Sequence, residues 1–331
     1  MFKNISIIGD GAMGTVLAML LCEKNMPVRM WGYDHRQLKQ IESSRENKKF
    51  LSGYKLPEIL VFESDDERIM AGADLIVSAV PCQFMREVWG RLKSYVPKGV
   101  PIVSVTKGVE NDTLLCPSQI LADVLGREVK CVVLSGPTIS DELARKLPAT
   151  AAVACSDEQL AKGVQYTFST NWLRVYTNTD IIGVELAGAM KNIIAIAAGI
   201  VDGMGLGDNA KAALLSRGLA EITRLGIACG ARPQTFAGLT GLGDLVTTCI
   251  SPRGRNRSFG ERIGKGQTVE QARKATESVI EGIATCKSVV ALGRQHNVEM
   301  PITRAVYEIL FKGKSVQAAI ADLMKRQLKA E

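Results

Sequence analysis

Histidine is almost missing from this 331-residue chain, which holds only His35 and His296. Its eight cysteines (Cys22, Cys82, Cys116, Cys131, Cys155, Cys229, Cys249 and Cys286) are scattered and form no Cys-x-x-Cys pair. Neither a metal site nor a disulfide framework is therefore expected. Spaced thiols of this kind read as reduced and cytoplasmic, with Cys131 and Cys155 sitting in apolar runs as core residues. Aromatics are sparse at 5% and no run of Lys and Arg stands out, so nucleic acid is not an expected partner. Lys plus Arg exceed Asp plus Glu by 7 (41 against 34), which suits anionic ligands and equally suits an ordinary basic surface. Uncharged apolar runs long enough for a membrane are lacking too. The best candidate, Ile181 to Val201, contains Glu185, Lys191 and Asn192. Each central charge would cost about 2.5–3.5 kcal/mol in lipid, so a buried helix is predicted and no membrane span. The start, Met1-Phe2-Lys3-Asn4-Ile5, passes directly into a strand pattern, and no signal peptide is expected.

What is present is the balance of a soluble globular protein, 46% hydrophobic and 23% charged, at a length that suits two domains. Short apolar, β-branched runs alternate with helical patterns in the first half: Ile5–Ile8, Val28–Trp31, Leu75–Val80, Pro101–Val105, Lys130–Leu134, a weaker Thr150–Ala154 and Leu173–Tyr176. Continuous apolar runs are buried on both faces, and helices between them imply parallel pairing. A Rossmann-like, doubly wound α/β sheet is predicted over residues 1–179. Beyond residue 179 strand patterns vanish, and residues 180–331 are predicted to be an all-α domain broken by glycines at 203–207 and 241–243.

Gly9-Asp10-Gly11-Ala12-Met13-Gly14 fits G-x-G-x-x-G directly after the first strand and opens a helix. The first glycine permits the turn, the second lets a pyrophosphate approach the backbone, and the third packs helix on strand. The helix N-terminus then presents N–H groups to phosphate. Asp10 would repel that phosphate unless its side chain turns away. Asp34 falls 20 residues after Gly14, where an acid takes the ribose 2′-OH; it equally suits a helix N-cap.

Lys191 has Ala187, Gly188, Ile194 and Ala195 as its neighbours on one helix face, which gives it no counterion within the helix. A lysine so placed snorkels, pairs across the fold or donates a proton; burial without a partner would lower its pKa. Gly238–Leu245 reads as a loop carrying one carboxylate, Asp244. Arg253-Gly254-Arg255-Asn256-Arg257 offers three guanidiniums for phosphate or, equally, a solvated basic loop.

Together these segments resemble the NAD-dependent glycerol-3-phosphate dehydrogenase family across essentially the whole chain, in a bacterial style. The resemblance adds Ser104-Val105-Thr106-Lys107-Gly108, Ser135-Gly136-Pro137-Thr138, Gly183 to Asn192, Gly205 to Ala213, Gly241 to Leu245 and Val279-Ile280-Glu281-Gly282. It implies a cytoplasmic homodimer that interconverts dihydroxyacetone phosphate and sn-glycerol 3-phosphate with NAD(H) or NADP(H), supplying phospholipid synthesis. Lys191 would be the general acid. Lys107, Gly136, Thr138, Asn192, Asp244, Gly254, Arg255 and Asn256 would join it in binding substrate. Gly9, Gly11, Ala12, Met13, Gly14, Tyr33, Asp34, Lys107, Ser140, Arg255, Val279 and Glu281 would bind the cofactor. Three departures stand out: Ala12-Met13 for Ser and an aromatic, Tyr33 where many bacterial members carry Arg, and Gly254 for Ser. Tyr33-Asp34 leans toward NADH and the bacterial style toward NADPH, so both coenzymes are expected to work. The rival readings are a β-hydroxyacid dehydrogenase or ketopantoate reductase, and a dinucleotide sensor without catalysis.

Overall fold

The structure, a computed structural model, describes residues 2–276 and 279–328; Met1 of the opening segment lies outside them. The chain forms two compact units, Met1–Lys107 with Cys116–Val184, and Gly108–Leu115 with Glu185–Glu331.

The first unit holds ten strands among the described residues: β1 (Ile5–Ile8), β2 (Val28–Trp31), β3 (Glu46–Asn47), β4 (Leu51–Lys55), β5 (Val61–Phe62), β6 (Leu75–Ser78), β7 (Ile102–Ser104), β8 (Cys131–Ser135), β9 (Ala149–Ala154) and β10 (Leu173–Asn178). Strands β3 and β4 pair as a separate antiparallel ribbon; the other eight form one sheet in the order β10-β9-β8-β7-β6-β1-β2-β5. Every residue of β1 and β6 is buried, which is why these strands are continuous apolar runs rather than alternating ones. Their two serines are satisfied locally: Ser6 Oγ donates to the Ile69 carbonyl at 2.6 Å, and Ser78 Oγ accepts from Trp89 Nε1 at 3.1 Å. At one edge β10 instead alternates, with Leu173 and Val175 buried and Arg174 and Tyr176 exposed.

Pairing is parallel from β5 through β8, but β9 runs antiparallel to β8, against the parallel pairing that the sequence predicts. The β8–β9 connection contains a single five-residue helix, Ser140–Ala144. Such a helix advances about 7.5 Å, well short of the roughly 17 Å length of a five-residue strand, so it does not return the chain to the strand's start. β10 then pairs parallel with β9 across a full helix, Glu158–Phe168. Helix α1 (Ala12–Glu23) follows β1, and α2 (His35–Ser44) follows β2. Because β1 lies between β2 and β6, the chain order reverses at the carboxyl end of β1, the place where open α/β sheets take their ligands.

Among its described residues the second unit has no strand: helices joined by turns make up Glu185 onward, and Gly108–Leu115 is irregular. Its helices include Gly207–Ala228, Asp244–Ile250, Arg255–Gly264, Glu281–Gln295 and Pro301–Lys312. The Ile181–Gly203 helix is long and apolar enough to cross a membrane by length and composition, and 83% of its most apolar window is buried inside the protein. The predicted break at 203–207 is a turn in which Gly205 and Gly207 take φ of +67° and +81°, conformations that side-chain-bearing residues avoid. Gly108–Leu115 packs with the helical unit: Ser288 Oγ bonds the Val109 carbonyl at 2.8 Å and Asn111 Oδ1 at 2.7 Å.

The Ile181–Gly203 and Arg255–Gly264 helices touch backbone to backbone. A Cβ on Gly260 would overlap the Ile196 carbonyl, one on Gly199 the Arg257 carbonyl, one on Gly203 the Glu261 carbonyl and one on Gly264 the Ile200 carbonyl. Gly90, in the Met85–Leu92 helix, has nothing within 4 Å of an added Cβ. The same substitution should therefore act with opposite signs at the two places. Gly260→Ala is expected to lower unfolding free energy by at least about 1–3 kcal/mol through overpacking. Gly90→Ala is expected to raise it by about 0.5–1 kcal/mol through backbone entropy. Urea denaturation of the two variants measures both, and a tolerated Gly260→Ala would mean that the helices do not need this close contact.

Candidate active site

In the first unit the glycine fingerprint is built as its spacing predicts. Gly9 follows β1 with φ +119°, and an added Cβ would lie 2.7 Å from the Ala79 carbonyl that follows β6. Gly14 abuts the Gly9 carbonyl. Gly11 is different: an added Cβ there meets nothing within 4 Å, and as N-cap of α1 it provides no side-chain cap. The backbone at Gly11 and the first turn of α1, with half-buried Ala12 and Met13, thus leave room and N–H groups for a phosphate. Further along the sheet, Ser135 Oγ at the end of β8 is buried and has no hydrogen-bond partner among the described residues. Both features fit a dinucleotide, which takes donors and acceptors along the carboxyl ends of such strands.

Asp10 turns its carboxylate sideways. Oδ2 accepts from Gln37 Nε2 at 2.9 Å, and a Cβ on Gly32, just after β2, would lie 2.8 Å from it. Burial pushes the Asp10 carboxyl above the usual aspartate range; Asp34 adds to this, while Gln37 and Lys49 oppose it. Asp34 caps α2, its Oδ1 accepting from Arg36 N at 2.9 Å and Gln37 N at 3.3 Å. Tyr33 is exposed; its hydroxyl donates to Glu87 Oε1 at 2.9 Å, and its ring meets Trp31 edge-on. Lys107, Gly136 and Thr138 come together: Lys107 Nζ and Thr138 Oγ1 each donate to the Gly136 carbonyl at 3.1 Å. Gly136 holds φ +141° against Ala151, and Ser140 opens the short helix after it.

In the second unit the Ile181–Gly203 helix carries Lys191 and Asn192, both buried. Lys191 does have a counterion, supplied from across the fold: Nζ pairs with Asp244 Oδ1 and donates to Thr248 Oγ1 at 2.6 Å. Of the fates open to a lysine on that helix face, pairing across the fold is realised, with Asp244 buried beside it. Gly238–Leu245 is not a loop either. Leu239–Gly243 makes a π-helical turn, closed by Gly243 N to the Gly238 carbonyl at 3.2 Å, that runs into the Asp244–Ile250 helix. Gly241 permits it, since a Cβ would overlap the Phe236 backbone.

Asn256 Nδ2 donates to Asn192 Oδ1 at 3.0 Å, and Asn256 Oδ1 accepts from Gly282 N at 3.0 Å. This fixes the Asn192 amide so that its buried Nδ2 has no partner among the described residues. A buried donor left unpaired costs about 1–3 kcal/mol, so an acceptor such as a hydroxyl or phosphate oxygen suits the position. Gly254 and Arg255 are the N-cap and first residue of the Arg255–Gly264 helix. Arg255 Nη1 donates to the Val279 carbonyl at 3.2 Å, and Glu281 begins the Glu281–Gln295 helix. Of the three guanidiniums that the sequence offers for phosphate, Arg257 is committed elsewhere: it pairs with Asp202 at 2.6 Å and Glu261 at 3.1 Å.

Two polar residues escape sequence inspection. Thr248 joins the Lys191–Asp244 pair because it lies one helical turn beyond Asp244, a signal visible once the helix is known. Asn47, fully buried in two-residue β3, donates to the Asp10 carbonyl at 2.7 Å and Thr15 Oγ1 at 2.8 Å, and no sequence pattern marks it. Cys249 lies near Lys191, yet burial pushes its thiol up to about 12, so it is no nucleophile at neutral pH.

The chain also matches known proteins along its length. The family models described as NAD-dependent glycerol-3-phosphate dehydrogenase N-terminus and C-terminus match residues 4–161 and 180–321. The chain is 45% identical to a glycerol-3-phosphate dehydrogenase (NAD(P)+) of Citrifermentans bemidjiense, covering 100% of this chain and 99% of that one. It is 44% identical to the enzyme of that name from Bacillus pumilus, over 98% and 94%. The crystal structure of glycerol-3-phosphate dehydrogenase from Coxiella burnetii superposes with a TM-score of 0.95 at 38% identity, over 98% of this chain and 99% of that one. A ketopantoate reductase from Ralstonia eutropha is similar at a TM-score of 0.61 and 15% identity, over 93% and 97%, a likeness of fold alone. This chain belongs to the NAD-dependent glycerol-3-phosphate dehydrogenase family.

Proposed function

We propose that the chain interconverts dihydroxyacetone phosphate and sn-glycerol 3-phosphate with NAD(P)H, Lys191 serving as the general acid. The observation that carries this is a buried ammonium fixed by Asp244 and Thr248 on the same helix as Asn192, whose amide has a donor to give. When bound, the reduced coenzyme supplies the hydride. Reduction of the ketone leaves negative charge on the former carbonyl oxygen, and a positioned ammonium both neutralises that charge and donates the proton. In the opposite direction the same nitrogen takes the hydroxyl proton back. Asp244 and Thr248 hold Nζ in place, and the Asn192 Nδ2 donor suits the substrate oxygens.

Arg255 and Asn256 occupy the first turn of their helix, where backbone N–H groups and the helix dipole favour an anion. With Gly254 they are assigned to the substrate phosphate, a role that Arg255 shares with the coenzyme. Lys107, Gly136 and Thr138 are assigned to substrate by the family resemblance, Lys107 also to coenzyme. Gly9, Gly11, Ala12, Met13, Gly14, Tyr33, Asp34, Ser140, Val279 and Glu281 are assigned to the coenzyme. Residues 1–179, with Gly108–Leu115 excepted because it packs with the helical unit, then form the dinucleotide-binding domain and 180–331 the substrate-binding domain. A cytoplasmic homodimer supplying glycerol 3-phosphate for phospholipid synthesis completes the proposal.

Lys191→Ala is expected to cut kcat by about 10²–10⁴ while coenzyme affinity stays nearly intact. Because that change strands the buried Asp244, at a cost of about 3–5 kcal/mol, the double variant Lys191→Met/Asp244→Asn serves as the folded control. Retention of more than a tenth of wild-type kcat in either would make Lys191 structural. Arg255→Ala is expected to raise KM for dihydroxyacetone phosphate about 10- to 100-fold, since a hydrogen bond to a charged group contributes about 1.5–3 kcal/mol. Unphosphorylated dihydroxyacetone should be a very poor substrate for the wild type. Equal kcat/KM on the two ketones would eliminate the phosphate site.

A further inference from the structure

The second residue of the glycine fingerprint is an aspartate whose charge has no use in holding a pyrophosphate. Its surroundings give it a different one. The Asp10 carboxylate reaches from the end of β1 to the end of β2, so close to the Gly32 backbone that an added Cβ would sit 2.8 Å from Oδ2. In dinucleotide-binding sheets the end of the second strand is where an acid meets the adenosine ribose. Asp34, the residue at the customary spacing, spends its Oδ1 on two backbone donors of α2. Asp10 does not cap α1 and is held from several sides. Gln37 Nε2 donates to its Oδ2 at 2.9 Å, and Lys49 Nζ fixes that amide by donating to Gln37 Oε1 at 3.2 Å. Asn47 Nδ2 anchors the Asp10 carbonyl at 2.7 Å.

We propose that Asp10, rather than Asp34, reads the 2′-position of the coenzyme ribose, accepting from a 2′-hydroxyl and repelling a 2′-phosphate. This rests on the coenzyme reading above. Asp10 and Asp34 together place two carboxylates at this corner, against the exposed ammonium of Lys49, which is bonded to Gln37. Of the charged groups that act on each other there, two are carboxylates and one is an ammonium, so the wild type is expected to bind NADPH more weakly than NADH. Partial burial acts in both directions, lowering the dielectric between Asp10 and a neighbouring phosphate while raising the carboxyl above its usual range.

The test is direct coenzyme binding to the full chain, with Kd for NADH and for NADPH measured by tryptophan-fluorescence quenching. Displacement by 5′-AMP and by 2′,5′-ADP isolates the adenosine half. Wild type is expected to bind NADH and 5′-AMP more tightly. Asp10→Asn, which keeps shape and an acceptor for Gln37, is expected to shift the NADPH-to-NADH affinity ratio about tenfold or more toward NADPH. Asp10→Ala should move it the same way, which separates loss of charge from a local effect of the new amide. A ratio changed by less than about twofold in both variants overturns the assignment. So does a shift produced by Asp34→Ser, which retains a capping hydroxyl, when Asp10→Asn produces none. If wild type binds neither coenzyme, the coenzyme reading itself falls and takes this one with it.

Discussion

The helical unit is organised around a backbone-to-backbone crossing that only glycine allows. Gly199 and Gly203 on one helix and Gly260 and Gly264 on the other bring the two axes closer than ordinary side chains permit. At one end of that crossing Asn192 and Asn256 can bond directly, and Gly282 N completes the junction from a third helix. Lys191 is the next residue along from Asn192, so its direction is inherited from the same contact. A buried ion pair repays its desolvation only when its geometry is good and its remaining polar atoms are satisfied. Rigid packing with no room for repacking supplies that geometry to Lys191 and Asp244.

Much of the first unit is legible in sequence because its determinants are local. A continuous apolar run announces a strand buried on both faces, and a G-x-G-x-x-G between strand and helix announces a phosphate turn. Ile5–Ile8 and Gly9–Gly14 are seen this way. The reversed direction of β9 is not, because strand polarity depends on whether the preceding connection is long enough to return, and the pattern of Ala149–Ala154 itself carries no direction. The two-residue β3 and β5 are too short for any periodicity, so Asn47 cannot be anticipated.

In the helical unit the limit is of another kind. Helix periodicity shows which residues share a face with Lys191, and it reports an apolar face accurately. It says nothing about Asp244, 53 residues on, which reaches Lys191 through tertiary folding. Glycines in Gly238–Gly243 suggest a loop by composition, whereas the extra carbonyl span of a π turn accommodates them and delivers Asp244 to the start of a helix. The three arginines after Pro252 are chemically alike in sequence. Only the position of Asp202 and Glu261 separates Arg257, a structural tie, from Arg255.

The eight residues from Gly108 to Leu115 belong with the helical unit although they lie between strands of the sheet unit. Val109 is fully buried, and its carbonyl is bonded by Ser288. The polypeptide therefore passes from one unit to the other three times rather than once. A shuffling event with a single crossover near residue 180 would pair the 108–115 segment of one parent with the Glu281–Gln295 helix of the other. Exchange between relatives is thus constrained to carry the segment and its helix together, and the two halves behave as one unit of inheritance.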